Sequence, residues 1–182
     1  MTGIVRSTAS REMYRNRWMT VHEDDVVFAD GSRGIYGVVR RPDFALTIPR
    51  ERGRLYLVEQ YRFPVGGRFW EFPQGSWSGG EDGSPVDLAR QELAEETGLT
   101  AARMTPLGAL HVAYGYSNQR CHVFLAEELA HGPPRREASE SDMRTRSVDL
   151  AGWQRLVADR RITDAASLAA YALLTIHDQG KD

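Results

Sequence analysis

The sequence predicts a mixed α/β (α+β) fold, a sandwich built on a mixed sheet and preceded by an N-terminal antiparallel β region. Three observations carry this. The opening residues, 1–41, read as β around a hairpin signal at Asp30-Gly31. Strand-like segments outnumber helical ones along the rest of the chain. The helical patterns are few and late, without the regular alternation that a βαβ repeat needs.

The elements follow in order. Segments 17–22 and 25–29 carry Trp18, Val21, Val26, Val27 and Phe28, and 34–40 returns after the Asp-Gly turn. Segments 44–48 and 55–60 form a second candidate hairpin, joined by PRERGR. Residues 69–72, 107–113 and 120–126 read as three more strands. Ser84-Pro85 starts the first helix, with Ser84 as cap and Pro85 at the first helical position. It runs to Thr97, and Gly98 suits the residue after its end. Residues 132–144 are polar and proline-bearing and read as a mobile loop. Two helices close the chain at 150–160 and 164–177, the second with Ala165, Leu168, Ala169, Ala172, Leu173 and Ile176 on its apolar face. A boundary near residue 41 divides the β region from a main domain, 42–182.

Composition narrows the function. The 182 residues are 41% hydrophobic and 26% charged, enough apolar material for a core. A formal net charge of −2 supplies no basic field for nucleic acid, yet leaves room for small anions held by local arginines. Cys121 is the single cysteine, so neither an intrachain disulfide nor a C-x-x-C metal motif exists. No apolar run has signal-peptide or membrane-span length, which leads to the expectation of a cytoplasmic protein without a membrane partner.

The most informative stretch is GSWSGGEDGSPVDLARQELAEETGL, residues 75–99. On a helical wheel, Glu96 falls ~40° from Glu92 and Glu95 ~60° the other way. Three carboxylates thus share one face. Such crowding costs an exposed helix only ~0.2–0.5 kcal/mol per pair, so a solvated acidic face is one reading. The other is a divalent cation, since Mg²⁺ takes a few carboxylates together with water and substrate phosphates. The preceding EFPQGSWSGG permits close backbone approach, and Arg62 and Arg68 upstream suit phosphate oxygens.

This stretch resembles the Nudix box, Gly-x5-Glu-x7-Arg-Glu-U-x-Glu-Glu-x-Gly-U, where U is aliphatic. Gly75 and Glu81 keep the first spacing, and the run from Glu92 to Leu99 keeps the second half without a gap. Two departures stand out. Nine residues rather than seven separate Glu81 from the arginine position, and that position holds Gln91. Glutamine can donate to a carboxylate, but without charge. Arg90 points ~160° from Glu92 and does not replace it. LVEQYRFPVGGRFWEFPQG, RITDAASLAAYALL and YRNRWMTVHEDDV are similar to segments of ADP-ribose and ADP-sugar pyrophosphatases of the same family.

The resemblance implies a Nudix-type α/β/α sandwich and Mg²⁺-dependent cleavage of a nucleoside diphosphate derivative, with Mn²⁺ as an alternative ion. It implies Glu92, Glu95, Glu96 and the Gln74 carbonyl as metal ligands, with Glu92 also a candidate base. Glu81 would be a supporting or loop-fixing residue. A loop glutamate is expected as general base, with Glu140 favoured over Glu137 and Asp142. Arg62 would contact the diphosphate; Trp18 or Tyr14 would stack on the base, and Trp77 would line the pocket. The implied partners are the nucleotide substrate and a second copy of the chain, in a homodimer. His111 and His122 read as packing or surface residues and Cys121 as inert. Gln91 keeps open a nucleotide sensor that binds without turnover, and hydrolysis of another nucleotide substrate is a further alternative.

Overall fold

The computed structural model describes residues 4–77, 83–136 and 140–180. Strands β1 (Val5–Arg15), β2 (Thr20–Phe28) and β3 (Arg33–Arg40) form a separate antiparallel sheet in the order β1-β2-β3. The Asp30-Gly31 turn forms as expected, with the Gly31 N–H donating to the Phe28 carbonyl at 3.0 Å. The long strand β1 is not signalled by the sequence. VRSTASREMYR has no apolar alternation, and every one of its residues is exposed. It is held by its ladder to β2 and by Arg11, which pairs across the strands with Glu23 and Asp25.

The body is a seven-stranded mixed sheet. Its main path runs β10-β5-β4-β9-β8, with β4 (Phe44–Glu51), β5 (Arg54–Arg62), β8 (Leu99–His111), β9 (Arg120–His131) and β10 (Arg144–Val148). Strand β6 (Gly67–Glu71) pairs with β5, and β7 (Gln74–Ser76) with β4. β4 and β9 are parallel and the other pairs antiparallel. This sheet packs against α1 (Pro85–Thr97) on one face and against α2 (Leu150–Ala158) and α3 (Ala165–Gln179) on the other.

Alternation along β4 builds both layers, because successive side chains of a strand point to opposite faces. Leu46 and Ile48 join Leu57, Phe72, Trp153 and Ala170 in the core under α2 and α3. Ala45 packs instead with Leu88, Ala89 and Phe124 beneath α1, where the Thr47 hydroxyl donates to the Ala89 carbonyl at 3.2 Å. Leu46, Ile48 and Phe72 are fully buried, each contributing about 1.5–3 kcal/mol. Phe72, Trp153 and Tyr171 stack in series at centroid distances of 4.9 and 4.7 Å.

Two local expectations need correction. Ser84 occupies the N-cap position, but its side chain makes no capping bond; its carbonyl takes the Asp87 and Leu88 amides instead. The buried face of α3 is Ala166, Ser167, Ala170 and Leu174, while Leu168 and Ile176 are exposed. Small residues at this seam let the helix sit close beside Phe72 and Trp153, so contact geometry outweighs hydrophobicity in choosing the face.

Candidate active site

α1 ends at Gly98, whose φ of +75° is left-handed. A Cβ there would lie 2.1 Å from the Gly132 carbonyl oxygen, so only glycine permits this approach. The chain after β9 then runs along the helix end. Gly132 N–H donates to the Gly98 carbonyl at 2.8 Å and Arg135 N–H to the Glu95 carbonyl at 2.9 Å. Residues 132–136, expected to be part of a mobile loop, are thus tied to the last turn of α1.

Within α1, Glu96 is buried to 1% exposure, whereas Glu92 and Glu95 are half-buried. One Glu96 oxygen, Oε2, accepts the Gln74 N–H at 3.1 Å. Its Oε1 is buried with no hydrogen-bond partner among the described residues. Burial, followed by the charges of Glu92, Glu140 and Glu71, pushes the Glu96 carboxyl well above the usual carboxylate range. Gly75 admits the Glu92 carboxylate against the backbone, since a Cβ there would lie 2.3 Å from its carbon. Gln91 Nε2 donates to Glu95 Oε1 at 3.2 Å, the neutral brace foreseen for this position. Arg90 turns away to the Ala101 carbonyl at 2.6 Å.

Distant elements fix the loop that carries Gln74. Thr47 N–H donates to the Pro73 carbonyl at 2.9 Å, and Phe72 N–H donates to Ser167 Oγ at 2.9 Å. Gln74 Nε2 reaches Asp164 Oδ2 at 3.2 Å, while the same carboxylate caps α3 through the Ser167 N–H. Asp164 and Ser167 were invisible as site-supporting residues in the sequence, because they lie some ninety positions from the loop they hold.

Of the two loop acids among the described residues, Glu140 and Asp142, Glu140 borders the groove. It lines a cavity of about 590 Å³ together with Glu92, Glu95, Trp18, Arg41 and Trp77. Asp142 is drawn aside into an ion pair with Arg68, which also donates to the Asp142 carbonyl at 2.8 Å. Glu137 and Glu81 lie outside the described residues. Arg62 is engaged with buried Glu71, its Nε donating at 3.2 Å and its Nη2 bonding the other oxygen. Burial raises the Glu71 carboxyl despite this arginine.

Trp18 is 58% exposed, with the Arg17 guanidinium 4.2 Å over its ring. Tyr14 lies exposed on β1. Trp77 also faces a second cavity of about 760 Å³, lined further by Arg41, Asp43, His111, Arg120 and His122. Asp43 accepts from Arg120 Nε at 2.9 Å and lies 3.1 Å from His122 Nε2. His111 and His122, expected to pack or face solvent, thus border this hollow. Burial lifts the Cys121 thiol to about 12, so it holds its proton at neutral pH.

The donors suit a hard divalent ion: carboxylate oxygens on one helical face, one of them buried with an unused oxygen. As they stand, no three acidic, imidazole or thiol groups among the described residues are drawn into a finished ligand set. No helix among the described residues is long and apolar enough to cross a membrane.

Known proteins point the same way. Residues 39–166 match the NUDIX domain, and residues 6–39 match the nucleoside diphosphate sugar hydrolase N-terminal domain. The chain is 30% identical over 170 residues to an ADP-ribose pyrophosphatase of Bacillus subtilis (strain 168), covering 92% of this chain and 90% of that one. It is 33% identical over 135 residues to an ADP-ribose pyrophosphatase of Mycobacterium tuberculosis, 73% and 63% of the two chains. A crystal structure of an ADP compounds hydrolase shares the fold with a TM-score of 0.86 at 23% identity, over 98% of this chain and 96% of that one.

Proposed function

This chain belongs to the NUDIX family and is a NUDIX hydrolase, and from that premise we propose that it cleaves the diphosphate bond of ADP-ribose or a related nucleotide sugar. The products are AMP and a sugar phosphate. The observation that carries this reading is Glu96, a buried carboxylate with one oxygen unpartnered among the described residues and with Glu92 and Glu140 acting on its charge. The relatives that bear the name ADP-ribose pyrophosphatase support the substrate class.

Glu92, Glu95, Glu96 and the Gln74 carbonyl would hold the divalent ion, Mg²⁺ or Mn²⁺. When bound, that ion supplies charge neutralisation between the acidic helix and the diphosphate. The protein does the rest by position. Glu140, which lines the same cavity as Glu92 and Glu95, takes the proton of the attacking water at a carboxylate oxygen. The water oxygen bonds to one phosphorus as the bridging P–O bond breaks, and the other phosphoryl group departs with the bridging oxygen. Arg62 steadies the charged groups, its guanidinium oriented by Glu71. Trp18 and Trp77 flank the groove that receives the flanking groups of the substrate.

The β region of residues 1–41 is a unit distinct from the main domain at 42–182, and it joins two copies into a homodimer. Support comes from β1, exposed along its whole length, and from the exposed Met13, Tyr14, Ile35 and Tyr36 of this sheet.

The test is AMP release from ADP-ribose with and without Mg²⁺, beside a Glu96→Gln variant. Mg²⁺-dependent release by the parent and its loss in the variant are expected. Equal rates for the two proteins would reject the assigned site. Calorimetric binding without turnover in excess Mg²⁺ would favour the sensor reading, for which Gln91 is the motive.

A further inference from the structure

Arg136 carries no signal in the sequence, yet its side chain bonds both the acidic helix and the turn that carries Glu140. It sits half-buried where the segment after β9 leaves the end of α1. Its guanidinium reaches three segments at once. Nε donates to the Glu96 carbonyl at 3.0 Å, Nη1 to the Met143 carbonyl at 2.5 Å, and Nη2 to Thr145 Oγ1 at 2.8 Å.

Each contact has a structural consequence. The Glu96 carbonyl is among the last of α1, which have no partners inside the helix, and a cation is favourable at that end. Met143 is the far end of the turn that carries Glu140, its N–H donating to the Glu140 carbonyl at 2.9 Å. Thr145 is the second residue of β10 and pairs with Val58 of β5. The guanidinium therefore spans from the backbone of one acidic residue to the turn that presents another. Lysine, a point charge on a flexible stem, could not reproduce a planar fork aimed at three acceptors.

We propose that Arg136 is a positioning residue that sets the distance between the Glu140 carboxylate and the acidic face of α1. The inference rests on the reading of Glu140 as general base, and it adds a residue that touches neither substrate nor reacting atoms. Arg68 holds the same turn at Asp142, but through an exposed carboxylate, and its other partner is Glu59 on β5. Arg136 is the one of the two that ties the turn to the helix.

The experiment compares Arg136→Gln, Glu140→Gln and the double variant with the parent, using Mg²⁺ and ADP-ribose, with Tm recorded for each. Misplacing a catalytic group by about 1 Å costs on the order of 100-fold, so Arg136→Gln should lower kcat about 10- to 100-fold and leave KM within about two-fold. In the Glu140→Gln background the same change should cost less than about two-fold, because no base remains to be misplaced. An equal loss in both backgrounds would overturn the proposal, as would a lower Tm with parental kcat. Parental kcat in Glu140→Gln sinks the base assignment and the inference together; a slow Glu140→Gln beside a parental Arg136→Gln sinks the inference alone. If Arg136→Gln does not fold, Arg136→Lys carries the same comparison. Amide exchange on the metal-free protein reads the contact without turnover. Arg136→Gln should speed exchange in residues 140–145 at least about ten-fold, and unchanged exchange there would overturn the proposal whatever the substrate.

Discussion

Replacing Glu96 by glutamine should stabilise the metal-free protein and remove its response to a divalent ion. In the parent, Glu96 is buried with one N–H bond to Oε2 and, among the described residues, none to Oε1, and Glu92, Glu140 and Glu71 oppose its charge. A buried polar group left unsatisfied costs about 1–3 kcal/mol, more when charged. Glutamine keeps an acceptor for the Gln74 N–H and turns an NH₂ toward the neighbouring carboxylates. A gain of about 2 kcal/mol is expected, or about 4–8 °C in Tm for a chain of this size. The gain depends on pH. The folded pKa of Glu96 lies above its unfolded value, so the folded state holds the proton more tightly. The associated stability is whole below the unfolded pKa and is lost as pH rises through the folded one. Parent Tm without metal should therefore fall more steeply than that of the variant as pH rises above the ordinary carboxylate range. Adding Mg²⁺ at about 100 times its Kd should restore about 2.7 kcal/mol to the parent and little to the variant. Thermal scans across pH, with chelator or Mg²⁺, decide it. A variant less stable than the parent without metal, yet equally raised by Mg²⁺, would refute the reasoning.

Three further outcomes follow from the same geometry. Gly75→Ala puts a Cβ within 2.3 Å of the Glu92 carboxylate, the movable end of a side chain; Tm should stay within about 2 °C, while Mg²⁺-dependent turnover falls at least about ten-fold as the carboxylate is displaced. Gly98→Ala meets backbone instead, at a φ of +75°; urea unfolding should show a loss of about 2–4 kcal/mol, from left-handed strain plus collision with the Gly132 carbonyl. Asp142→Asn should keep kcat within about three-fold, because its carboxylate pairs with Arg68 at the surface and exposed pairs contribute little; a loss as large as that of Glu140→Gln would move the base to residue 142.

What the sequence disclosed was local. The Ser84-Pro85 start and Gly98 stop of α1 depend on near neighbours, and both fall where the residues indicated. The same holds for the shared face of Glu92, Glu95 and Glu96 and for the Gln91 brace, which helical spacing alone decides. Strands β4 and β5 were visible through their apolar residues, while β1 was hidden because its stability comes from cross-strand partners rather than burial. The support of the site was equally hidden. Asp164 and Ser167 hold the Gln74 loop across the sheet, and Arg136 sits in a polar, proline-bearing stretch that carries no periodic signal. Arg62 suits phosphate by residue type, while its orientation by Glu71 is a tertiary fact that spacing does not contain.

The most direct measurement is anomalous diffraction from crystals grown with Mn²⁺ and a non-hydrolysable ADP-ribose analogue. The account predicts a metal peak bonded to carboxylate oxygens of Glu92, Glu95 and Glu96, at about 2.0–2.3 Å, with the diphosphate on its other side. A peak elsewhere, or a bound analogue with no metal beside those carboxylates, would contradict it.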